Sequence, residues 1–335
     1  MRKKSTYKII VLLFLSAIFA FAITACNSKM QWFKQGEINS TVVRTTPLSL
    51  VQKPTATKIV NHALGQAEIP LHPQRIVVLD DSFILDPLLA LSIKPVGFAA
   101  GANFINSDNL SEFVSGIPKV GDWERPSLEK ILSLKPDLIL GHIWQKRFYS
   151  LLSAIAPTVL IDTDSEVDFK KNLKYLADIL DKSDRVDRIL AEYNQRIQTF
   201  RQQLGTTLNT KTVSIVHLYG STVHVYGSDL TVYGQIMKDA GIRLIPAYRD
   251  LKGYSGLSIE ALSDWDADIL FVVVLLKTDS EHLRSLSFLK QPLWSALKAV
   301  QNKQVYAVTW ANTVAGPITA NQFIDDLYKY FVEPS

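Results

Sequence analysis

Residues 166–204 hold neither glycine nor proline, while the chain on both sides is broken by them repeatedly. Leu173, Leu176, Ala177 and Leu180 fall at i, i+3, i+4 and i+7, and after Ser183, a candidate N-cap, the pattern resumes at Ile189, Leu190, Tyr193, Ile197, Phe200 and Leu204. This spacing predicts one long helix, broken near residues 182–184. The chain before it and the chain after it are read as two lobes joined by this helical segment.

Both flanks alternate short apolar runs with helical stretches. Before the long helix the runs are RIVVLD (75–80), PVGFA (95–99), IPKVG (117–121), DLILG (137–141) and TVLID (158–162), with helices expected at 82–91, 127–134 and 145–155. After Gly205 come TVSIVHLY (212–219), VHVYG (223–227), ILFVVVLL (269–276) and VYAVT (305–309), with helices at 231–240, 292–300 and 318–331. Fully apolar strands alternating with helices predict α/β lobes, each a parallel sheet covered on both faces. The expected organisation is a lobe over 58–165, a connecting helix over 166–204 and a second lobe over 205–335. No close sequence repeat between the lobes is evident.

The amino-terminal region has a different character. Arg2, Lys3, Lys4 and Lys8 precede an apolar run at 9–23, which leads into Ile23, Thr24, Ala25 and Cys26, the only cysteine. The run is short for a membrane span, which takes about 20 residues, and its layout is that of an export signal over residues 1–25. Residues 26–57 are polar and lack a period of 2 or 3.6, as a tether would be.

Charge points away from nucleic acid. Of 36 lysines and arginines, four lie in residues 1–25, which hold no acid, so the remainder balances at 32 to 32. No basic stripe interleaved with aromatics follows. A catalytic reading has equally little support, for the chain lacks G-x-G-x-x-G after a strand, G-x-x-x-x-G-K-[ST], G-x-S-x-G and H-E-x-x-H. An enzyme is not expected, and no cofactor is.

Particular residues then carry a resemblance. His62-Ala63-Leu64-Gly65, Ile69-Pro70, the stretch from Pro73 to Asp80, the stretch from Leu88 to Gly97 and, most specifically, Pro126-Ser127-Leu128-Glu129 running on to Pro136-Asp137-Leu138 resemble the iron-siderophore substrate-binding proteins of ABC importers. Pro292-Leu293-Trp294, Val305-Tyr306, Gly316-Pro317 and Asp325-Asp326-Leu327 extend the likeness, and Cys26 with its preceding residues resembles the bacterial lipobox. The resemblance implies two Rossmann-like α/β lobes joined by a stiff helix, with a ligand cleft between them. It further implies an exported monomer anchored to membrane by acyl chains on Cys26, which captures a ferric siderophore of hydroxamate or citrate type and delivers it to an ABC permease.

The ligand is expected just beyond the carboxyl ends of the strands, where open α/β sheets leave their crevice. The candidate ligand-binding residues there are Trp123, Arg125, His142, Trp144, Arg147, Tyr219, Tyr226, Tyr248, Arg249 and Trp310, with Asp81, Ser82, the 101–103 loop, Asp122, Glu124 and Lys277 nearby. Rings would cover the organic shell of a chelate, and arginine forks would bind its oxygens. By the resemblance, Glu129 and Glu260, each in a strand-loop-helix setting, are the acids that dock to permease arginines. A cobalamin or haem receptor of the same fold is an alternative, and a zinc or manganese receptor using His142, His217 and His224 a further one.

Overall fold

In a computed structural model, the structure describes residues 56–101, 108–162, 167–219, 222–258, 260–274, 291–310 and 314–331. The expected signal, most of the tether, Cys26 and Lys277 lie outside them.

The first lobe opens with an antiparallel hairpin, β1 (Thr57–His62) and β2 (Gly65–Pro70), which sequence periodicity did not reveal. Its sheet is built from β3 (Ile76–Val78), which leads to α1 (Leu85–Ala90), and β4 (Gly97–Phe98). A two-residue hairpin, β5 (Gly121–Asp122) and β6 (Arg125–Pro126), then precedes α2 (Leu128–Ser133), β7 (Leu138–His142), α3 (Tyr149–Ser153) and β8 (Thr158–Ile161). The order β4-β3-β7-β8 is parallel throughout. Every residue of β3, β7 and β8 is buried, because one apolar cluster covers each face of the sheet. This is why these strands read as unbroken apolar runs and not as alternations.

The connecting segment is two helices, α4 (Phe169–Ile179) and α5 (Ser183–Leu204). Asp168 caps α4 by accepting the N–H of Lys170 and Lys171. The break falls slightly earlier than the periodicity indicated: Asp181 adopts a left-handed φ of 55° and Lys182 N–H returns to Ala177 O. Ser183 is the first helical residue and not a side-chain cap. Leu173, Leu176 and Val186 join the first lobe's core, whereas Tyr193, Ile197, Phe200 and Leu204 join the second's. At 1.5 Å per residue α5 is a strut of roughly 33 Å.

The second lobe comprises β9 (Thr212–Tyr219), β10 (Thr222–Tyr226), α6 (Val232–Asp239), β11 (Arg243–Leu244), α7 (Pro246–Asp250), β12 (Tyr254–Leu257), β13 (Ile269–Val273), β14 (Val305–Val308) and the closing α8 (Pro317–Phe331). The order is β12-β10-β9-β13-β14, with β11 beside the start of β9. β9, β11, β13 and β14 are parallel, but β10 and β12 run antiparallel at one edge. Pro292–Ala296 and Lys298–Gln301 form two short helices where one was expected.

The lobes repeat one local device around Glu129 and Glu260, whose similar settings the sequence showed, and it extends to an aspartate that the sequence reading did not pick out. Ser127 accepts the N–H of Lys130, and Ser258 accepts that of Ala261. Asp137, just before β7, accepts the backbone N–H of Gln74 and Arg75 ahead of β3, and Asp268, just before β13, accepts Thr212 N–H at the start of β9. Ser127, Glu129 and Asp137 thus stand at the same spacing as Ser258, Glu260 and Asp268. Each aspartate fixes the register of two neighbouring parallel strands through charge-assisted bonds.

Candidate functional site

The segment that follows β3 and the segment that follows β14 meet: Asp86 of α1 accepts hydrogen bonds from Ile318 and Thr319 at the start of α8. The segments that follow the carboxyl ends of β3 and β14 are therefore joined at this contact.

In the first lobe an aromatic group is assembled around Gln145. This side chain is 1% exposed; its Oε1 accepts His142 N–H, and its Nε2 donates to Leu79 O at 3.0 Å and to Trp123 O at 2.9 Å. One amide thereby pins the ends of β3 and β7 and the β5–β6 turn in a single arrangement. The His142 ring is buried with its centroid 3.8 Å from that of Trp144, and Trp144 lies 5.5 Å from Trp123. Trp144 remains 45% exposed, an uncommon state for so large an apolar side chain.

Close packing sets the orientation of Trp123. Its Nε1 lies where a Cβ on Gly101 would be only 2.6 Å away, so a side chain at 101 would force the ring to shift. Gly101 N–H in turn donates to Asp81 Oδ2 at 2.7 Å. Beside it, buried Asp80 accepts from Ser82 and Ile84 N–H. Burial and then the neighbouring Asp81 carboxyl push Asp80 up to about 7. Arg125 and Arg147 are exposed alongside, Arg147 donating to Glu124 O and lying over the Phe148 ring.

In the second lobe Tyr226 stands on the antiparallel strand β10, its ring 4.6 Å from His217 and stacked 5.7 Å from Tyr254. Tyr254, absent from the sequence expectations, is 72% exposed. His217 is opposed across the strands to His224 and shares a 2.7 Å hydrogen bond with the hydroxyl of Tyr233. Burial, and secondarily His224, lower its pKa to about 4, so the ring is neutral at pH 7.

Other expected residues fall elsewhere. Trp310 is buried, with ring centroids 4.6 Å from Phe271 and 4.8 Å from Phe323, and Tyr248 is 1% exposed beside Trp265; both are packed in the second lobe's core. Their place after strands suggested a crevice, but the face they occupy is covered by α8 and by the 3-10 turn Glu260–Trp265 respectively. Arg249 is exposed and held by both oxygens of Asp250. Tyr219 ends β9, its side chain outside the described set, as are Ala102 and Asn103. Among the described residues, no three His, Cys, Asp or Glu side chains are grouped as metal ligands would be.

Glu129 and Glu260 are both exposed in the first turn of their helices, where the helix dipole favours an acid. The backbone N–H of Glu260 and the hydroxyl of Ser258 hold the Glu260 carboxyl below its ordinary range.

Two α/β lobes joined by a helical segment, with an aromatic group beyond the strand ends of each lobe, define the class of two-lobed solute-binding proteins. The family model described as periplasmic binding protein matches residues 77–309, and the chain belongs to that family. Among curated relatives, the probable siderophore-binding lipoprotein YfiY of Bacillus subtilis is 31% identical, over 97% of this chain and 99% of that protein. The Fe(3+)-citrate-binding protein YfmC of the same organism is 31% identical, over 75% of this chain and 78% of that one. Among solved structures, Staphylococcus aureus SirA complexed with staphyloferrin B superposes with a TM-score of 0.69 at 27% identity, covering 82% of this chain and 98% of that one.

Proposed function

We propose that this protein is the substrate-binding component of an ABC importer and captures a ferric siderophore of hydroxamate or citrate type. Iron arrives already coordinated by the chelator; the protein recognises the shell. The observation that carries the reading is the Trp123–Trp144–His142 group with exposed Arg125 and Arg147 beside it. Rings of this kind cover organic chelate surface, and each arginine adds a charge-assisted bond of about 1.5–3 kcal/mol to an anionic oxygen. Tyr226 and Tyr254 supply a second aromatic surface from the other lobe. The names of the similar proteins, a siderophore-binding lipoprotein and a ferric-citrate-binding protein, support the same ligand class.

Glu129 and Glu260 dock the loaded receptor to the permease, one from each lobe, which sets register and association rate more than affinity. Cys26 carries the lipid that holds the exported protein at the membrane; more than one acyl chain makes such an anchor stable.

Titration of the purified protein with ferric citrate, ferrioxamine B, a ferric catecholate, cobalamin and Zn²⁺, read by tryptophan quenching, tests the proposal. Saturable quenching by ferric citrate or ferrioxamine B, weakened in Trp123→Ala, is the expected result. A tight response to Zn²⁺ or to cobalamin alone would overturn it.

A further inference from the structure

Asp86 is fully buried in α1 of the first lobe, yet its carboxylate is directed at the second. Oδ1 accepts Ile318 N–H at 2.9 Å, and Oδ2 accepts Thr319 N–H at 2.9 Å and the Thr319 hydroxyl at 2.6 Å. The Thr319 oxygen itself accepts the N–H groups of Ala315 and Gly316. An anion that accepts from the first-turn amides of a 15-residue helix also has the favourable end of the helix dipole. The contact is interlocked in shape as well: a Cβ on Gly316 would stand 2.5 Å from the Asp86 carboxyl. This gives the Gly316-Pro317 pair, otherwise without a role, a physical reason.

The latch joins the segments that follow β3 and β14. α1 follows the β3 segment that carries Asp80 and Asp81, and α8 follows the β14 segment, so the clamped residues join the two loops between which a ligand would lie. The strut α5 connects the lobes by its length, while the carboxylate fixes a second point of contact.

We propose that Asp86 is a positioning residue for ligand capture, which holds the first turn of α8 against α1 and so sets the spacing of the two lobes across the crevice. The proposal rests on the receptor reading above. Without the latch each lobe keeps its own core and aromatic surface, but the two surfaces are no longer preorganised and a bound chelate leaves sooner.

Hydrogen exchange at the Ile318 and Thr319 amides, together with binding of ferric citrate and ferrioxamine B, is measured for Asp86→Ala, Gly316→Ala, the double variant, Thr319→Val and Thr319→Ser. Asp86→Ala and Gly316→Ala are each expected to speed exchange at those two amides at least tenfold with little change in β7 and β13, and to weaken chelate binding about tenfold through faster dissociation. The double variant should be no better than Asp86→Ala, because the Asp86 Cβ, which alanine keeps, would still stand 2.8 Å from a Cβ at 316. Thr319→Ser should behave as wild type and Thr319→Val should lie between, which keeps the test decisive if Asp86→Ala fails to fold. Unchanged exchange, or faster exchange with unaltered affinity and dissociation, would overturn the positioning role. If the wild-type protein bound neither chelate, the receptor reading would fall, while the exchange data would still judge the latch.

Discussion

Tyr226 and Tyr254 face each other across the antiparallel pair β10–β12, their rings stacked at 5.7 Å with an interplanar angle of 23°. The pair ends an aromatic row that begins at His217. Because Tyr254 is 72% exposed, its ring stabilises the fold little and is available to a ligand. Tyr254→Ala is expected to change unfolding free energy by no more than about 0.5 kcal/mol while weakening binding of the ferric chelate several-fold. Denaturation and quenching titrations of the same preparation separate the two effects.

Gly101 offers a test of Trp123 that leaves the indole in place. A methyl at 101 collides with Trp123 Nε1, so Gly101→Ala must turn the ring away from its present seat. Its chelate affinity should approach that of Trp123→Ala, with a shift in tryptophan emission in the unliganded protein. Wild-type affinity in Gly101→Ala would show that the ring orientation is irrelevant to binding.

Trp310 distinguishes core from crevice. Packed among Phe271, Phe323, Tyr233 and Tyr330, it should behave as a core residue. Trp310→Ala is expected to cost about 3–5 kcal/mol of stability, measured by urea unfolding, with any affinity change following from that loss.

Two buried groups should tilt the pH profile in opposite directions. The folded-state pKa of Asp80 is raised to about 7, so its contribution is present below pH 4 and is lost as pH rises toward 7. That of His217 is lowered to about 4, so its contribution is present above pH 6.5 and is lost as pH falls toward 4. Between pH 4.5 and 6.5 the two oppose one another, and Asp86, whose carboxyl burial raises to about 6, adds to the decline with rising pH. Relative to wild type, Asp80→Asn should tilt stability toward climbing with pH over this range, and His217→Gln toward declining, each by on the order of 1 kcal/mol per pH unit. Melting temperatures of the three proteins across the range check the signs.

The docking role proposed for Glu129 and Glu260 predicts that transport and binding dissociate. Glu129→Ala and Glu260→Ala, both at exposed positions, should leave chelate affinity within about twofold while reducing siderophore-dependent uptake, with the double variant lower than either alone. Parallel titration and uptake assays decide it; a loss of affinity matching the loss of uptake would refute the docking role.

Much of the architecture was legible because it is written in local pattern. The runs at 212–219 and 137–141 became β9 and most of β7, and the Gly- and Pro-free stretch became α4 and α5. The hairpin β1–β2 and the edge strand β12 escaped notice because their residues are largely exposed and lack an apolar alternation. The Asp137/Asp268 correspondence escaped for another reason: its meaning lies in which backbone amides the side chains reach, not in overall similarity.

Apolar period, glycine and proline punctuation and capping residues by themselves determined that this chain forms two α/β bodies around a helical connection, since each acts within a few residues. Tertiary structure decided which of the aromatic residues after strands would meet solvent. Trp144 and Tyr254 remained exposed and Trp310 and Tyr248 were enclosed, although all four follow or open elements of similar composition. It also decided that Asp86 would meet Thr319, 233 positions away. Burial and partnership at such distances depend on what the rest of the chain packs over a position, and no local pattern encodes that.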